Sequence, residues 1–502
     1  MGLRSSARPL PPVTEQVMAD SPSSDGGVAI GIDVGTQGAR VIVAERGGRV
    51  LASARRTWPL QDDDEDKREQ DPEEWWRAVV SCLREVTSLL GRVSVGAVSV
   101  AATSGTLVLA DDRMRPVRPA MMWNDKRAKL EVDIVNNELR EEISTAFQPG
   151  FTLPKALWVA RHEPEIWRAA RHVLTAGDWL LCRLTGLAPV SDFTNVFKSG
   201  YDLRNNRWPE GLDRLGLPVD RFPRVVASGT DIGPLSPQVV ADTGLSSETR
   251  VVAGITDATA AQIASGAVSV GDWVSTIGTG LSIKGVTLEP LLAPSAVGLY
   301  NHRHWSSGWI PTATSHCGAD SIGRRFPGED LDDLSRSAAR YDMSSVIVLP
   351  LSTVGEYFPF RVPEARGFEI GNPRDRADLF RGYLEGIAFV ERMAMNAMTA
   401  AGAEVDGPQR TMGGGAANPE WLRIRASVLR RPVTRPRETS SAFGAAIIAL
   451  AGDPVAISPL AREIVTDDAV ADPSPRSIEL YEERFASFQE ALTERGYLER
   501  EP

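Results

Sequence analysis

The pattern that most constrains this chain is a Gly-Thr turn set between two apolar runs, and it occurs twice. The first copy is GIDVGTQGARVIVA (Gly31–Ala44), and the second is STIGTGLS (Ser275–Ser282) within DWVSTIG and LSIKGVT. Short apolar runs on either side of a tight glycine turn read as a β-hairpin. Glycines at such a turn let the backbone approach a ligand, and adjacent N–H groups can bind phosphate oxygens. Asp33 beside the first turn could hold a hydrated magnesium ion. The plain alternative is a hairpin whose aspartate supports the turn. No Gly-Lys-Ser/Thr follows, so this is not the P-loop pattern. Two such turns in one chain read as a diverged duplication with a cleft between the copies, two hairpins gripping one polyphosphate.

The surroundings of the first turn predict a meander, helix and strand. VAIGIDVG, ARVIVAE and VLASARRTWPL read as three strands, with RGGR as the second turn. DPEEWWRAVVSCLREVTSLL is a helix, with Asp71 as N-cap, Pro72 in the first turn, and Glu73 and Glu74 at the positive end of the dipole. VSVGAVSVAAT returns as a buried strand, giving β-β-β-α-β. Further on, GLYNHRHWSSGWIPTATS and QRTM supply strands. ADLFRGYLEGIAFVERMAMNAMTAAG, NPEWLRIRASVLRR and SSAFGAAIIALAG supply helices. The fold class expected is α/β.

Bulk properties narrow the function. At 502 residues, two or three domains are expected. A net charge of -11 argues against nucleic acid as the main partner. Cys82, Cys182 and Cys317 lie far apart without metal-ligand or disulfide spacing, which fits a reducing cytoplasm. His302 and His304 alternate as on one strand face and read as a polar strand edge rather than a metal site. Residues 1–27, rich in Pro and Ser, read as a disordered leader rather than a signal peptide, with Met18 an alternative start. No apolar run reaches the roughly 18 residues of a membrane helix, so no membrane partner is expected.

Three further stretches carry candidate chemistry. MGGGAANPEW places Gly413, Gly414 and Gly415 between a strand and a helix that Asn418 would cap, which suits close approach of a flat or phosphorylated ligand or a tight β–α turn. GITDATAAQ places Asp257 before a small-residue helix, as its cap or as a general base for an acceptor hydroxyl. MMWNDKR groups Trp123, Asn124 and Asp125, polar groups beside an aromatic that suit a polyol, or an amphipathic loop.

Taken in order over roughly residues 28 to 452, these stretches resemble the FGGY family of carbohydrate kinases. GIDVGTQGAR resembles its first phosphate motif, RPAMMWNDKRA its sugar loop, and LPKALWVARHEPEIW its first signature, with Lys155, Trp158, Glu163 and Pro164. GITDATAA resembles the catalytic segment, LPLSTVGEYFPFRVPEARG a later loop, MGGGAANPEWLRIRASVLRRPV the adenosine signature and AFGAAIIALAG the helix behind it. The resemblance implies two actin-like (ribonuclease H-like) α/β domains around a central cleft, at 28–248 for sugar and 249–455 for nucleotide, with a helical extension at 456–502.

Residue by residue, the resemblance implies that Asp257 is the base and that Asp33 orients magnesium through water. Gly35, Thr36, Gln37 and Arg40, with Gly278, Thr279 and Gly280, would hold the phosphates. Gly413, Gly414, Gly415 and Asn418 would hold the adenine side of ATP. Thr103, Ser104, Gly105, Trp123, Asn124 and Asp125, with Asp257, would hold the sugar. A cytoplasmic kinase is expected, and dimers are common in the family, so a homodimer is admitted. TSGTLVL lacks the histidine usual in xylulokinases, whereas SDFTNVFKSGYDLRNNRWP resembles D-ribulose kinases. A ketopentose, D-xylulose or D-ribulose, is therefore expected over erythritol, rhamnulose, fuculose or glycerol. A catalytically silent relative and an actin-like chaperone ATPase are the rival classes.

Overall fold

A computed structural model describes residues 27–59, 64, 66–91, 93–143, 145–292 and 298–499. The leader expected at 1–27 lies, but for Gly27, outside the described residues. The chain forms two compact units. The first comprises residues 1–264 together with Ser440–Ile464, and the second Ser265–Thr439 together with Val465–Pro502.

In the first unit, the strands Val28–Gly35, Gly38–Glu45 and Val50–Thr57 form the expected antiparallel meander. The Pro72–Leu90 helix follows, and Asp71 caps it by accepting from the Glu73 N–H at 3.0 Å. Its buried stripe, Trp75, Val79, Cys82, Leu83 and Val86, recurs at helical spacing and packs into the core. The chain then returns as Ala97–Ala102, parallel to the first strand. Arg250–Val252 and Ile255–Thr256 join the far side of that returning strand, also parallel, and Asp231–Pro234 closes the sheet.

The second unit repeats the grammar. Trp273–Ile277 and Leu281–Gly285 form the second Gly-Thr hairpin, and Trp309–Ser315 pairs antiparallel to it. Gln409–Met412 and Val433–Pro436 then lie parallel to Trp273–Ile277 in turn. The long helix Arg376–Ala400 is buried on nearly every side, and its buried charges are paired, Arg381 with Glu385 and Glu420, and Glu391 with Arg425.

The units divide the chain differently from the segments expected at 28–248, 249–455 and 456–502. Residues 249–264, including Asp257, belong to the first unit, because Gly254 has no side chain to hold it off: a Cβ there would meet the Val100 carbonyl oxygen at 1.9 Å. The Ser441–Ala451 helix also lies in the first unit rather than behind the adenosine signature. Gly31 of the first strand and Gly444 of this helix permit backbone contact, since Cβ atoms would lie 1.8 Å from Ala442 O and 1.9 Å from Ala260 O. The final segment is not a separate extension: Asp467–Ala471 pairs with Val433–Pro436 at the edge of the second sheet. Tyr481, Phe485, Phe488 and Leu492 of the Pro475–Glu494 helix fill that unit's core. No helix among the described residues is long and apolar enough to cross a membrane.

Candidate functional site

Parallel strands bring the two candidate carboxylates to one edge of the first unit. Asp33 pairs with Ala101 on one side of the Ala97–Ala102 strand, and Ile255 pairs with Ala101 on the other. The two outer strands therefore stand about 10 Å apart at this level. Asp257 follows two residues later and opens the Asp257–Ala264 helix. Both carboxylates thus sit at the C-terminal ends of parallel strands, where α/β sheets present their ligand-binding groups. Burial, and next the negative charge of Asp257, push the Asp33 carboxyl up to about 7; Arg40, its cross-strand partner, and Arg55 oppose the rise.

A cation completes this corner, and it was absent from the expected site. Lys198, half-buried after the short helix Phe193–Val196, donates to the Ser104 carbonyl at 3.2 Å and lies 5.3 Å over the Phe151 ring. Burial lowers the pKa of its ammonium, and the Asp257 charge acts in the opposite direction. Gly105, at φ 90°, makes room for it: a Cβ would fall 2.8 Å from Lys198 Cδ. The FKSGYD run was the signal available in the sequence, but nothing local shows that its lysine faces Asp257.

The sugar-loop candidates divide into two groups. Ser104 Oγ and Asn124 Oδ1, like Asp33 Oδ1, are buried without a hydrogen-bond partner among the described residues. Buried polar atoms are nearly always paired, so each of these is open to a water or a ligand atom. Trp123 is 45% exposed and donates its indole N–H to Thr36 Oγ1 at 2.9 Å, which ties this loop to the first Gly-Thr turn and leaves the ring face for contact. Thr103 is buried, its hydroxyl 2.7 Å from that of Thr106.

Asp125 corrects the expectation. It is fully buried, with both carboxylate oxygens taken by the Arg68 N–H at 2.9 Å and by the Arg127 guanidinium at 2.8–3.1 Å. It shapes the loop and has no surface to offer a sugar. Lys155 braces the same region. Its fully buried ammonium donates to the carbonyls of Gly105, Met121 and Met122 at 2.6, 3.1 and 2.8 Å.

The Gly-Thr turns are open at Gly35 and Gly278. A Cβ on Gly35 would meet only the Gly38 oxygen at 3.9 Å, and one on Gly278 would meet nothing within 4 Å. Neither glycine has a positive φ, so the fold does not itself demand glycine at these positions. Gly280 is different, for a Cβ would sit 2.5 Å from Ser315 O. In the adenosine stretch, Gly413 (φ 84°) and Gly415 are required by contacts with Ile277 and Trp421, while Gly414 faces open space. Asn418 caps the Pro419–Leu429 helix through the Glu420 and Trp421 N–H groups and also accepts from Ser335 Oγ, so its Oδ1 is occupied. Thr36, Gln37 and Thr279 lie within the turns, with Gln37 and Thr279 exposed.

The residues present fit magnesium in its usual manner. No group of three or more His, Cys, Asp or Glu forms a cage among the described residues. Asp33 offers one unpaired carboxylate oxygen, and magnesium characteristically takes one or two carboxylates with water and substrate phosphates.

Known proteins match along most of the chain. The N-terminal domain of the FGGY family of carbohydrate kinases matches residues 28–264, and its C-terminal domain matches residues 304–452. A xylulose kinase of Bacillus subtilis (strain 168) is 27% identical over 490 residues, covering 92% of this chain and 96% of its own length. A xylulose kinase of Escherichia coli (strain K12) is 29% identical over 414 residues, 80% of this chain and 84% of its own. The crystal structure of xylulose kinase from Rhodospirillum rubrum superposes with a TM-score of 0.81 at 25% identity, over 93% of this chain and 98% of that one. The chain belongs to the FGGY family of carbohydrate kinases, and is an ATP- and magnesium-dependent sugar phosphotransferase of α/β fold.

Proposed function

We propose that this kinase phosphorylates the terminal hydroxyl of a ketopentose, D-xylulose or D-ribulose, with Asp257 as general base. The observation that carries the reading is the corner of Asp33, Asp257 and Lys198 beside the Thr103–Gly105 and Trp123–Asn124 loops. The xylulose kinases among its relatives favour a five-carbon ketose. Asp257 accepts the hydroxyl proton as the acceptor oxygen bonds to the γ-phosphorus and the bond to ADP breaks. Phosphoryl transfer depends chiefly on positioning and charge neutralisation. The Lys198 ammonium lies within reach of the charge of the base, and Ser104, Asn124 and the Trp123 ring fix the sugar. Gly35, Thr36, Gln37 and Arg40, and separately Gly278, Thr279 and Gly280, bind phosphate oxygens. Gly413, Gly414, Gly415 and Asn418 shape the seat of the nucleoside. Magnesium, when bound, neutralises phosphate charge, and Asp33 is the side chain that would hold it, through water. The protein works in the cytoplasm.

The test is ADP release over a panel of ketopentoses, ketohexoses and polyols, with wild type and Asp257→Ala. Turnover highest with a ketopentose and reduced about 10²–10⁴-fold in the variant is expected. Turnover highest with a hexulose or polyol refutes the substrate, and a fully active Asp257→Ala refutes the base.

A further inference from the structure

A buried hydrogen-bonded chain reaches the backbone immediately before Asp257. Among the described residues, the strand Ile255–Thr256 pairs on one side only, with Ala97–Ala102. The Thr256 N–H turns to the Thr194 hydroxyl, Oγ1, at 3.0 Å. That hydroxyl in turn donates to Asp192 Oδ1 at 2.6 Å. Thr194, Thr256 and Asp192 are 1–2% exposed, so no water substitutes for a missing partner without a cavity. The Asp192 carboxylate also accepts from the Thr194 N–H at 2.7 Å, the Asn195 N–H at 3.4 Å, the Asn195 amide and the Ser228 hydroxyl at 3.5 Å. It therefore fixes the start of the short helix whose continuation, two residues after its end, carries Lys198.

We propose that Thr194, oriented by Asp192, is a positioning residue that sets where the Asp257 backbone stands relative to Lys198. This role rests on the reading of Asp257 as the base. One buried carboxylate registers two segments far apart in sequence: directly for the segment that leads to the ammonium, and through a single hydroxyl for the peptide that precedes the base. A valine at 194 would fill the same volume yet give the Thr256 N–H no acceptor, so the hydroxyl rather than the packing carries the function. A misplacement of about 1 Å at a reacting group can lower turnover about 10²-fold.

The experiment is a double-mutant cycle on the full chain with MgATP and D-xylulose or D-ribulose. Thr194→Val should lower kcat about 10- to 100-fold with the KM for MgATP within about twofold of wild type, and Thr194→Ser should restore most of the loss. In an Asp257→Ala background the valine change should add nothing, because Thr194 acts through that residue. Hydrogen exchange at the Thr256 amide should quicken in Thr194→Val and not in Thr194→Ser. Where valine is not accommodated, Thr194→Ala removes the same hydroxyl. Wild-type kcat in Thr194→Val, or an equal loss with and without Asp257, overturns the role alone. Full activity in Asp257→Ala overturns the base assignment, and this role with it.

Discussion

Gly444→Ala should both destabilise this protein and slow it. Gly444 lies within the Ser441–Ala451 helix, where alanine would ordinarily stabilise by about 1 kcal/mol. Here its Cβ would lie 1.9 Å from the Ala260 carbonyl oxygen and 2.5 Å from the carbonyl carbon. A carbon–oxygen contact needs about 3.3 Å, so the helices must part by roughly 1.4 Å. Retreat is blocked on the other face, where the Ala442 carbonyl already lies 1.8 Å from the Cβ position of Gly31. Overpacking of this kind costs about 1–3 kcal/mol, and occasionally more. Set against the propensity gain, the expected net loss is up to about 2 kcal/mol, read from the urea midpoint at constant m-value. Ala260 stands one turn after Asp257 in the same helix, so kcat should fall as well, by up to about 10²-fold. Gly323 is the control: it lies in the Ala319–Arg325 helix, and a Cβ there meets nothing within 4 Å. Gly323→Ala should raise stability by about 0.5–1 kcal/mol and leave kcat unchanged. If Gly444→Ala proves as stable and as active as Gly323→Ala, the backbone contact is not what holds this helix to the first unit.

Two further perturbations probe buried charge. Asp33 titrates near 7 in the folded chain instead of its ordinary 3.8, so the folded state retains a proton that the unfolded chain releases. Stability of the nucleotide- and metal-free protein should therefore fall as pH rises from about 4 to about 7, with the loss complete above that window. Asp33→Asn should remove the Asp33 share of this slope and gain up to roughly 4 kcal/mol at pH 8, at the expense of magnesium-dependent turnover; melting curves of variant and wild type that run parallel from pH 5 to 8 would refute the titration. In the second unit, Arg425 and Glu391 form a fully buried pair with both contacts at 2.7 Å. Arg425→Met should cost about 3–5 kcal/mol in a urea titration, because it leaves the carboxylate unpaired. Arg425→Met with Glu391→Met should recover much of that; a double variant no more stable than the single one would sink the argument.

Local chemistry made much of the fold legible. The two Gly-Thr hairpins, the Asp71 cap, the Gln409–Met412 strand and the Asn418 cap follow from residue spacing and turn chemistry within a few positions, and the structure has each of them. The C-terminal segment was harder. The sequence of 456–502 shows helical periodicity, while the strand Asp467–Ala471 exists because an edge of the second sheet is there to pair it.

The site divides in the same way. By itself the sequence determined the residue types: aspartate beside a Gly-Thr turn, aspartate before a small-residue helix, glycines at tight turns, and an order of motifs that belongs to one kinase family. Only the tertiary structure decided which of these groups remain available to a ligand. Asp125 and Asp33 look equivalent in sequence, yet Asp125 is taken by the Arg127 guanidinium and by the Arg68 N–H from 57 positions away, whereas Asp33 Oδ1 meets no donor among the described residues. The strand Ile255–Thr256 just before Asp257 likewise joins the sheet of Asp33, and Gly254 and Gly444 let distant backbones touch there. A carboxylate's fate depends on its desolvation and its partners, and chain segments remote from it supply part of both.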